Sequence, residues 1–411
     1  MRIGIYGGTF DPFHNGHRAV LKAAWESGKL DRILVMPVGT PPHKKRRLSF
    51  AAYRYEMVRL GTADLSYAEL RDDEIAHDGI DYTLETVRHL RRTYSRESKA
   101  VKFDLIAGSD VLFSIETWHQ PEALLKEVRL FLALRGDTSE EDALKQADRI
   151  REKYDAKVKF FKMKPTDVSS TALRERLQQD GQARDSLPPA VHEFISTNRI
   201  YDFAAEAAAL DDDTWARLLE LETAIWPLLP QKRRVHTLNV MWYAIRLARI
   251  HNLDVRQAAL AGIAHDCAKH LPLGTQRKYA KRAGYLGVAN DDVAHGPAGS
   301  YYARRYLGIT DRDVLAAIFY HTTSRGLMTR LDQIIYLADK VEYGRPFKNL
   351  KAIRDAADTD LDLAMERCLA EVFMALRRNK KDVHPLTRAA KLTLTHFKPG
   401  EASRTTEKTP T

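Results

Sequence analysis

Short apolar runs recur through the first half of the chain, at Ile3–Tyr6, Ile33–Val38, Phe103–Ala107, Val128–Leu134 and Val158–Phe161, and each reads as a buried strand. Between them His17–Ser27, Tyr53–Thr62, Leu84–Tyr94 and Glu140–Tyr154 carry apolar residues at helical spacing. The alternation predicts an α/β fold with a doubly wound parallel sheet, whose ligands bind at the carboxyl ends of the strands. In the second half the period-two pattern is almost gone. Trp215–Trp226, Val240–His251, Val255–Cys267, Gly299–Tyr306, Asp313–Tyr320, Leu331–Val341 and Leu361–Arg378 have helical periodicity, which predicts an all-α domain. The change falls at Phe203-Ala-Ala-Glu-Ala-Ala-Ala-Leu-Asp-Asp-Asp213. We therefore expect a first domain over 1–203, a connector over 204–213, a helical domain over 214–397 and a polar, disordered tail over 398–411.

Composition narrows the setting. A length of 411 residues suits two cores, and 44% hydrophobic with 29% charged residues excludes disorder for the bulk of the chain. Cys267 and Cys368 are the only cysteines, too few for a disulfide framework or a thiolate zinc cluster. The opening apolar run is too short for a signal peptide, and no run of 18 apolar residues follows, so the expected setting is the cytoplasm, with no membrane association. The net charge is +10, of which residues 1–203 contribute +2 and residues 204–411 contribute +8. Much of that excess lies in the last 36 residues, with nine basic and three acidic side chains. No aromatic-interleaved basic strand or recognition helix is evident, so small anionic nucleotides are expected as ligands and nucleic acid is not.

The first candidate site follows the first strand: Gly7-Gly8-Thr9-Phe10-Asp11-Pro12-Phe13-His14-Asn15-Gly16-His17. Glycines let the backbone approach a ligand, the start of the next helix attracts phosphate, and His14 and His17, three apart, can face it together. It is neither a Walker loop nor G-x-G-x-x-G. Ser169, Ser170 and Thr171 precede another helical pattern and can hold phosphate, although a plain N-cap is the simpler reading of that triplet alone; Arg174 lies one turn on. Trp118 offers a face to an aromatic ring, and Asp110, after the strand Phe103–Ala107, lies where a ribose hydroxyl or magnesium-bound water could be held.

This stretch resembles the signature of the nucleotidyltransferase superfamily, with its Rossmann-like fold and His-x-Gly-His motif on the phosphates of ATP. The rest of 1–203 is similar to bacterial nicotinate-nucleotide adenylyltransferases, through Pro37-Val-Gly-Thr-Pro-Pro-His-Lys44, Asp81-Tyr-Thr-Leu-Glu-Thr86, Ala107-Gly-Ser-Asp110 with Trp118, Val168-Ser-Ser-Thr-Ala-Leu-Arg174 and Leu187-Pro-Pro-Ala-Val191. The resemblance implies adenylyl transfer from ATP to nicotinate mononucleotide. His14, His17, Lys44 and Arg174 would serve catalysis. Gly7, Gly8, Thr9, Phe10, Tyr82, Thr83, Gly108, Asp110, Trp118, Ser169, Ser170 and Thr171 would bind the substrates, with Trp118 on the pyridine ring. Mg2+ is expected to ride on the ATP phosphates.

The second half holds His265-Asp266 in an apolar helical pattern, where a free charge is costly and a metal is one remedy. His236, His295, His321 and Asp339 follow at intervals, each histidine beside a helix with an apolar face. The order resembles the HD-domain metal phosphohydrolases and, through Arg234-Val-His-Thr-Leu-Asn-Val240, Ala261-Gly-Ile-Ala-His-Asp-Cys-Ala-Lys269, His295-Gly-Pro-Ala-Gly-Ser300, Ala317-Ile-Phe-Tyr-His-Thr-Thr323 and Ile335-Tyr-Leu-Ala-Asp-Lys-Val-Glu342, the bacterial symmetrical diadenosine tetraphosphate hydrolases. These six N/O ligands suffice for two divalent metals with Asp266 bridging and also catalytic; without thiolates, iron or manganese is suited. Lys269, Lys340 and Arg345 read equally as phosphate ligands or as solvated helix ends. The chain is thus expected to be a bifunctional enzyme acting on ATP, nicotinate mononucleotide and diadenosine tetraphosphate. For the HD site, another nucleotide such as a deoxynucleotide or guanosine polyphosphate, or a non-catalytic metal-binding regulatory role, stays open. The oligomeric state is not legible, and a homo-oligomer stays open.

Overall fold

The apolar runs of the first half pair side by side because their residues are buried on both faces, the condition under which a parallel sheet forms. In the computed structural model, which describes residues 1–39, 47–76, 82–97, 100–134, 139–164, 168–179, 183–285, 291–345 and 350–396, the chain divides into two compact units, Met1–Asp202 and Phe203–Thr411. The first contains β1 (Arg2–Gly8), β2 (Arg32–Pro37), β3 (Ala68–Leu70), β4 (Lys102–Gly108), β5 (Val128–Leu134) and β6 (Lys157–Lys162). They form one all-parallel sheet in the order β3-β2-β1-β4-β5-β6. The expected strands are present, joined by β3, whose three half-buried residues at the sheet edge carry no apolar run to announce them.

Helices α1 (Asn15–Gly28), α2 (Ala51–Gly61) and α3 (Thr83–Tyr94) lie among the strand connections. Leu84, Val87, Leu90 and Tyr94 of α3 share a core with Ile3 and Ile5 of β1, Leu34 and Met36 of β2, Leu105 of β4 and Leu130 and Leu132 of β5. Asp104 interrupts the apolar pattern of β4. Its buried carboxylate is neutralised from both neighbouring strands, by Arg2 Nη1 at 2.8 Å and Arg129 Nε at 3.0 Å. The strand order reverses between β1 and β4, and their carboxyl ends open the crevice in which ligands of such sheets bind.

The second unit is helical throughout its described residues. Helix Gln231–Ile250 is buried on all sides from Val235 to Ile245 and lies at its centre. Helix Val255–Ala264 packs on it so closely that a Cβ on Gly262 would come within 2.6 Å of Met241 Cα. Helices His295–Tyr306, Arg312–Tyr320 and Arg330–Val341 complete the core around the site. Asp254, Asp311, Thr329 and Asp360 cap their helices, each side chain accepting a backbone N–H. Residues 204–213 include the short helix Ala204–Ala208, where Glu206 is buried and paired with Arg249 at 3.2 Å, while Phe203 stacks on Trp242. Among the described residues no helix is long and apolar enough to cross a membrane. The expected tail 398–411 lies outside the described residues.

Candidate active sites of the two units

The turn after β1 is held by packing. Phe10 adopts a left-handed φ of 48°, and a Cβ at Gly8 would come 2.9 Å from its ring, so the residue there must lack one. His14 caps α1, and its backbone N–H donates to His17 Nδ1 at 3.1 Å. That bond leaves Nε2 to carry the proton of a neutral His17 ring. The ring is stacked on His14 at 3.7 Å and on Phe13 at 5.3 Å, with Phe10 edge-on at 5.0 Å, so its direction is fixed.

Gly7, Gly8 and Thr9 also line a cavity of about 400 Å³ between the carboxyl ends of β1, β2 and β4. Tyr82, Thr83 and Trp118 line it, together with aliphatic residues and Glu74. Half-buried Trp118 and Tyr82 give it aromatic walls, and His119, also lining it, stacks on Tyr82 at 4.2 Å. Such a space suits a planar ring with few polar handles. Gly108, which closes β4, and exposed Asp110, which caps a four-residue helix, are not among the lining residues.

Arg174 belongs to helix Ser170–Gln179, whose first turn is prepared by Ser169: the Leu173 N–H donates to the Ser169 carbonyl at 2.9 Å. The buried Arg174 guanidinium donates to the Asp11 carbonyl, and to Thr171 Oγ1 at 2.9 Å. It thus ties the helix of Ser169, Ser170 and Thr171 to the turn that carries His14. Lys44, like Asp81, lies outside the described residues.

Two residues of this site escaped the sequence reading. Asp11 is fully enclosed; its carboxylate accepts from the Tyr201 hydroxyl at 2.8 Å and from the Ser49 N–H at 3.2 Å. Burial pushes the Tyr201 hydroxyl well above its usual range, so it stays a donor. Arg54 of α2 is 2% exposed and donates to the carbonyls of Ser49 at 2.8 Å, Thr9 at 3.1 Å, Val38 at 2.7 Å and Gly39 at 3.2 Å. One guanidinium therefore fixes both cavity-lining ends, after β1 and after β2. A signal existed: Arg54 shares the helical spacing of buried Met57, Val58 and Gly61.

In the second unit His236, His265, Asp266, His295, His321 and Asp339 are all buried and converge. His265 and Asp266 do not stand inside a helix, as the apolar pattern suggested. Helix Val255–Ala264 ends before them, and tighter turns follow, with Cys267 N–H on the Ala264 carbonyl and Lys269 N–H on that of Asp266. Asp266 divides the cluster: its Oδ1 faces Nε2 of His295 and of His321, each at 3.5 Å, and its Oδ2 faces His265 Nε2 at 3.6 Å. Asp339 Oδ1 lies 3.0 Å from His236 Nε2 and 3.9 Å from His265 Nε2.

The orientation of the rings is set from behind. His265 Nδ1 contacts the Gly262 carbonyl and His321 Nδ1 the Ile318 carbonyl, both at 2.7 Å, which places the proton on Nδ1 and the lone pair of Nε2 toward Asp266. His236 Nδ1 meets Glu342 Oε1 at 3.0 Å, and Asn239 holds the other oxygen of Glu342. Burial pushes the His265 and His295 imidazoles down, toward the neutral form a metal requires. Burial also pushes Asp266 and Asp339 up, but the groups clustered around them outweigh it, Lys340 foremost beside Asp339, and both are held well below the usual carboxylate range.

These residues fit divalent cations. His265 Nε2 is buried without a hydrogen-bond partner, and two sets, His236 with His265 and Asp266, and Asp266 with His295 and His321, each bring their ligand atoms within 4.8 Å of one another. They share Asp266, one oxygen toward each set. Of the expected phosphate ligands, Lys269 Nζ lies 2.9 Å from His295 Nε2, Lys340 Nζ 2.5 Å from Asp339 Oδ2 and Arg345 Nη2 3.1 Å from Asp339 Oδ1. Unforeseen at this site were Arg233, whose Nη1 donates to Asp266 Oδ2 at 2.9 Å, and Thr322, whose hydroxyl lies 3.1 Å from Nε2 of both His295 and His321.

Comparison with known proteins follows the same division. The cytidylyltransferase-like family matches residues 5–176 and the HD domain family residues 233–344. A probable nicotinate-nucleotide adenylyltransferase of Clostridium acetobutylicum is 32% identical over 198 residues, covering 48% of this chain and 97% of that protein. One of Clostridium botulinum is 34% identical over 201 residues, covering 49% and 98%. A crystal structure described as a predicted HD superfamily hydrolase involved in NAD metabolism, from Clostridium acetobutylicum, is 38% identical, covers 43% of this chain and 95% of that one, and superposes with a TM-score of 0.41. Through its first unit the chain belongs to the nicotinate-nucleotide adenylyltransferase family, and its second unit carries an HD domain.

Proposed function

We propose that the first unit transfers the adenylyl group of ATP to nicotinate mononucleotide, forming nicotinate adenine dinucleotide and pyrophosphate. The observation that carries this reading is the aromatic-walled cavity at the β1/β4 crevice, lined by the same glycine turn that leads to the stacked His14–His17 pair. The names of the clostridial relatives point the same way. Trp118 and Tyr82 would enclose the pyridine ring. The phosphate of nicotinate mononucleotide attacks the α-phosphorus of ATP and pyrophosphate leaves, so positioning and charge neutralisation dominate. His17 would donate through Nε2 as charge builds on the α-phosphate oxygens, with His14 beside it and Lys44 contributing a positive charge, while Arg174, Asp11 and Arg54 hold the turn in place. Mg2+ would arrive with ATP and offset phosphate charge. Purified protein with Mg-ATP and, separately, nicotinate mononucleotide, nicotinamide mononucleotide and phosphopantetheine tests it: pyrophosphate release fastest with nicotinate mononucleotide supports the reading, and release only with another acceptor refutes it.

For the second unit we propose metal-dependent phosphohydrolysis, with diadenosine tetraphosphate cleaved to two ADP as the substrate reading. The shared carboxylate of Asp266, between two histidine sets, supports it. His236, His265, Asp266, His295, His321 and Asp339 would hold two ions, iron or manganese. Such ions, when bound, acidify water and neutralise phosphate charge. Lys269, Lys340, Arg345 and Arg233 would orient the remaining phosphates, and Glu342 keeps His236 in register. A panel of diadenosine tetraphosphate, deoxynucleotides and guanosine tetraphosphate, with iron or manganese, separates the substrates. Turnover of none, in protein that retains metal, would leave a regulatory role instead.

A further inference from the structure

Helices Leu273–Arg282 and His295–Tyr306 carry six Lys or Arg residues and four tyrosines between them, and no Asp or Glu. Arg277 is paired with Asp291 at 2.7 Å. Among the described residues no carboxylate lies within ion-pair distance of Lys278, Lys281, Arg282, Arg304 or Arg305, all five of which are exposed. Elsewhere on the surface cations are commonly matched, as in Arg18 with Asp64, Arg59 with Glu56 and Arg149 with Glu116.

The tyrosines of the two helices form one cluster. Ring centroids are 5.0 Å apart for Tyr279 and Tyr301, 6.1 Å for Tyr279 and Tyr306 and 4.9 Å for Tyr302 and Tyr306. The hydroxyls of Tyr279 and Tyr306 lie 3.3 Å apart, and Tyr306 is 50% exposed. Arg282 donates to the Tyr301 hydroxyl at 3.1 Å, and the Arg305 guanidinium lies 5.5 Å from the Tyr306 ring. Unmatched cations thus border exposed aromatic surface.

We propose that this face binds single-stranded nucleic acid. Unmatched guanidinium and ammonium groups suit a run of phosphates, and exposed tyrosine suits bases that are not already stacked in a duplex. An acidic peptide would match the cations and leave the rings unused. An anionic bilayer would find only Leu273 as a large exposed aliphatic anchor on these two helices. The two segments are separated in sequence by residues 283–294, so only the fold brings the basic and aromatic positions together. The inference does not depend on the substrate of the HD site.

The test is fluorescence anisotropy of the full chain with a labelled single-stranded oligonucleotide of about 20 nucleotides, and with the matching duplex, across NaCl from about 50 to 200 mM. Binding that favours the single strand is expected, with log affinity falling against log salt at a slope of about −3.5 for five phosphate contacts. R304Q/R305Q should lower that slope by roughly 1.4, and Tyr306→Ala should weaken binding by roughly tenfold. Unchanged thermal unfolding of R304Q/R305Q shows that its fold is kept. Absence of binding at low salt, preference for the duplex, or an unaltered slope in R304Q/R305Q overturns the proposal. So does equal competition by polyglutamate, or sedimentation with phosphatidylserine vesicles by a protein that ignores the oligonucleotide.

Discussion

His265 Nδ1 lies 2.7 Å from the carbonyl of Gly262, one turn back in the helix that presses against Met241. The ring that faces Asp266 is therefore aimed by the same residue that lets two helices touch. Gly262→Ala would place a Cβ 2.6 Å from Met241 Cα, an overpacking that costs about 1–3 kcal/mol because backbone, not a flexible side chain, must yield. Calorimetry should find a lower Tm for the second unit, and metal titration a weaker affinity, while adenylyl transfer by the first unit stays intact.

Arg54→Met should damage the first unit through its loops. The carbonyls of Ser49, Thr9, Val38 and Gly39 would lose a common donor, with a stability loss of roughly 1–3 kcal/mol in urea titration. Because Thr9 and Val38 line the cavity, KM for the nucleotides should rise. Arg54→Lys should restore little, since one ammonium cannot span the same acceptors.

His17→Ala removes a donor whose ring is locked between His14, Phe13 and Phe10. Steady-state kinetics should show kcat reduced by about 10²–10³ with a smaller change in KM, the mark of stabilisation exerted mainly in the transition state. A changed KM at constant kcat would assign His17 to ground-state binding instead.

Asp73 gives the first unit an acid-sensitive contact. Burial pushes its carboxyl up, but the Arg71 guanidinium at 2.8 Å more than offsets this and holds it below its usual range, with His89 also near. The folded value is depressed, so the stabilisation is present above the unfolded pKa, near ~3.9, and is lost as pH falls through the folded one. Asp73→Asn should therefore be less stable than wild type at neutral pH, and the gap should close on acidification in urea titrations.

Both thiols are buried, Cys368 pushed up to about 12 and Cys267 also raised, by burial first in each case. A thiol-specific reagent at mildly alkaline pH should label neither in the folded protein and both in guanidinium.

The architecture was legible where chemistry and periodicity agreed. Buried parallel strands are apolar runs, and Gly7-Gly8 followed by His14 and His17 marks the turn after β1 that leads to the two stacked rings. β3 was not legible, since Ala68-Glu69-Leu70 is held by pairing to β2 rather than by its own pattern. The six residues proposed to hold metal stood out as histidines and aspartates beside apolar helices. Arg233, Thr322 and Glu342 did not, because an Arg, Thr or Glu near a helix end is ordinary until the fold puts it within 3.1 Å of a ligand. Arg54 and Asp11 act on backbone carbonyls and amides from distant segments, contacts that no local spacing encodes.

The most direct test of two separate chemistries in one chain is chromatographic product analysis of wild type and Asp266→Ala, each given Mg-ATP with nicotinate mononucleotide and, with manganese, diadenosine tetraphosphate. Wild type should form nicotinate adenine dinucleotide and ADP, and Asp266→Ala should form the dinucleotide at an unchanged rate and no ADP from the tetraphosphate. Wild type that forms neither product, or Asp266→Ala that still hydrolyses the tetraphosphate, would contradict the account.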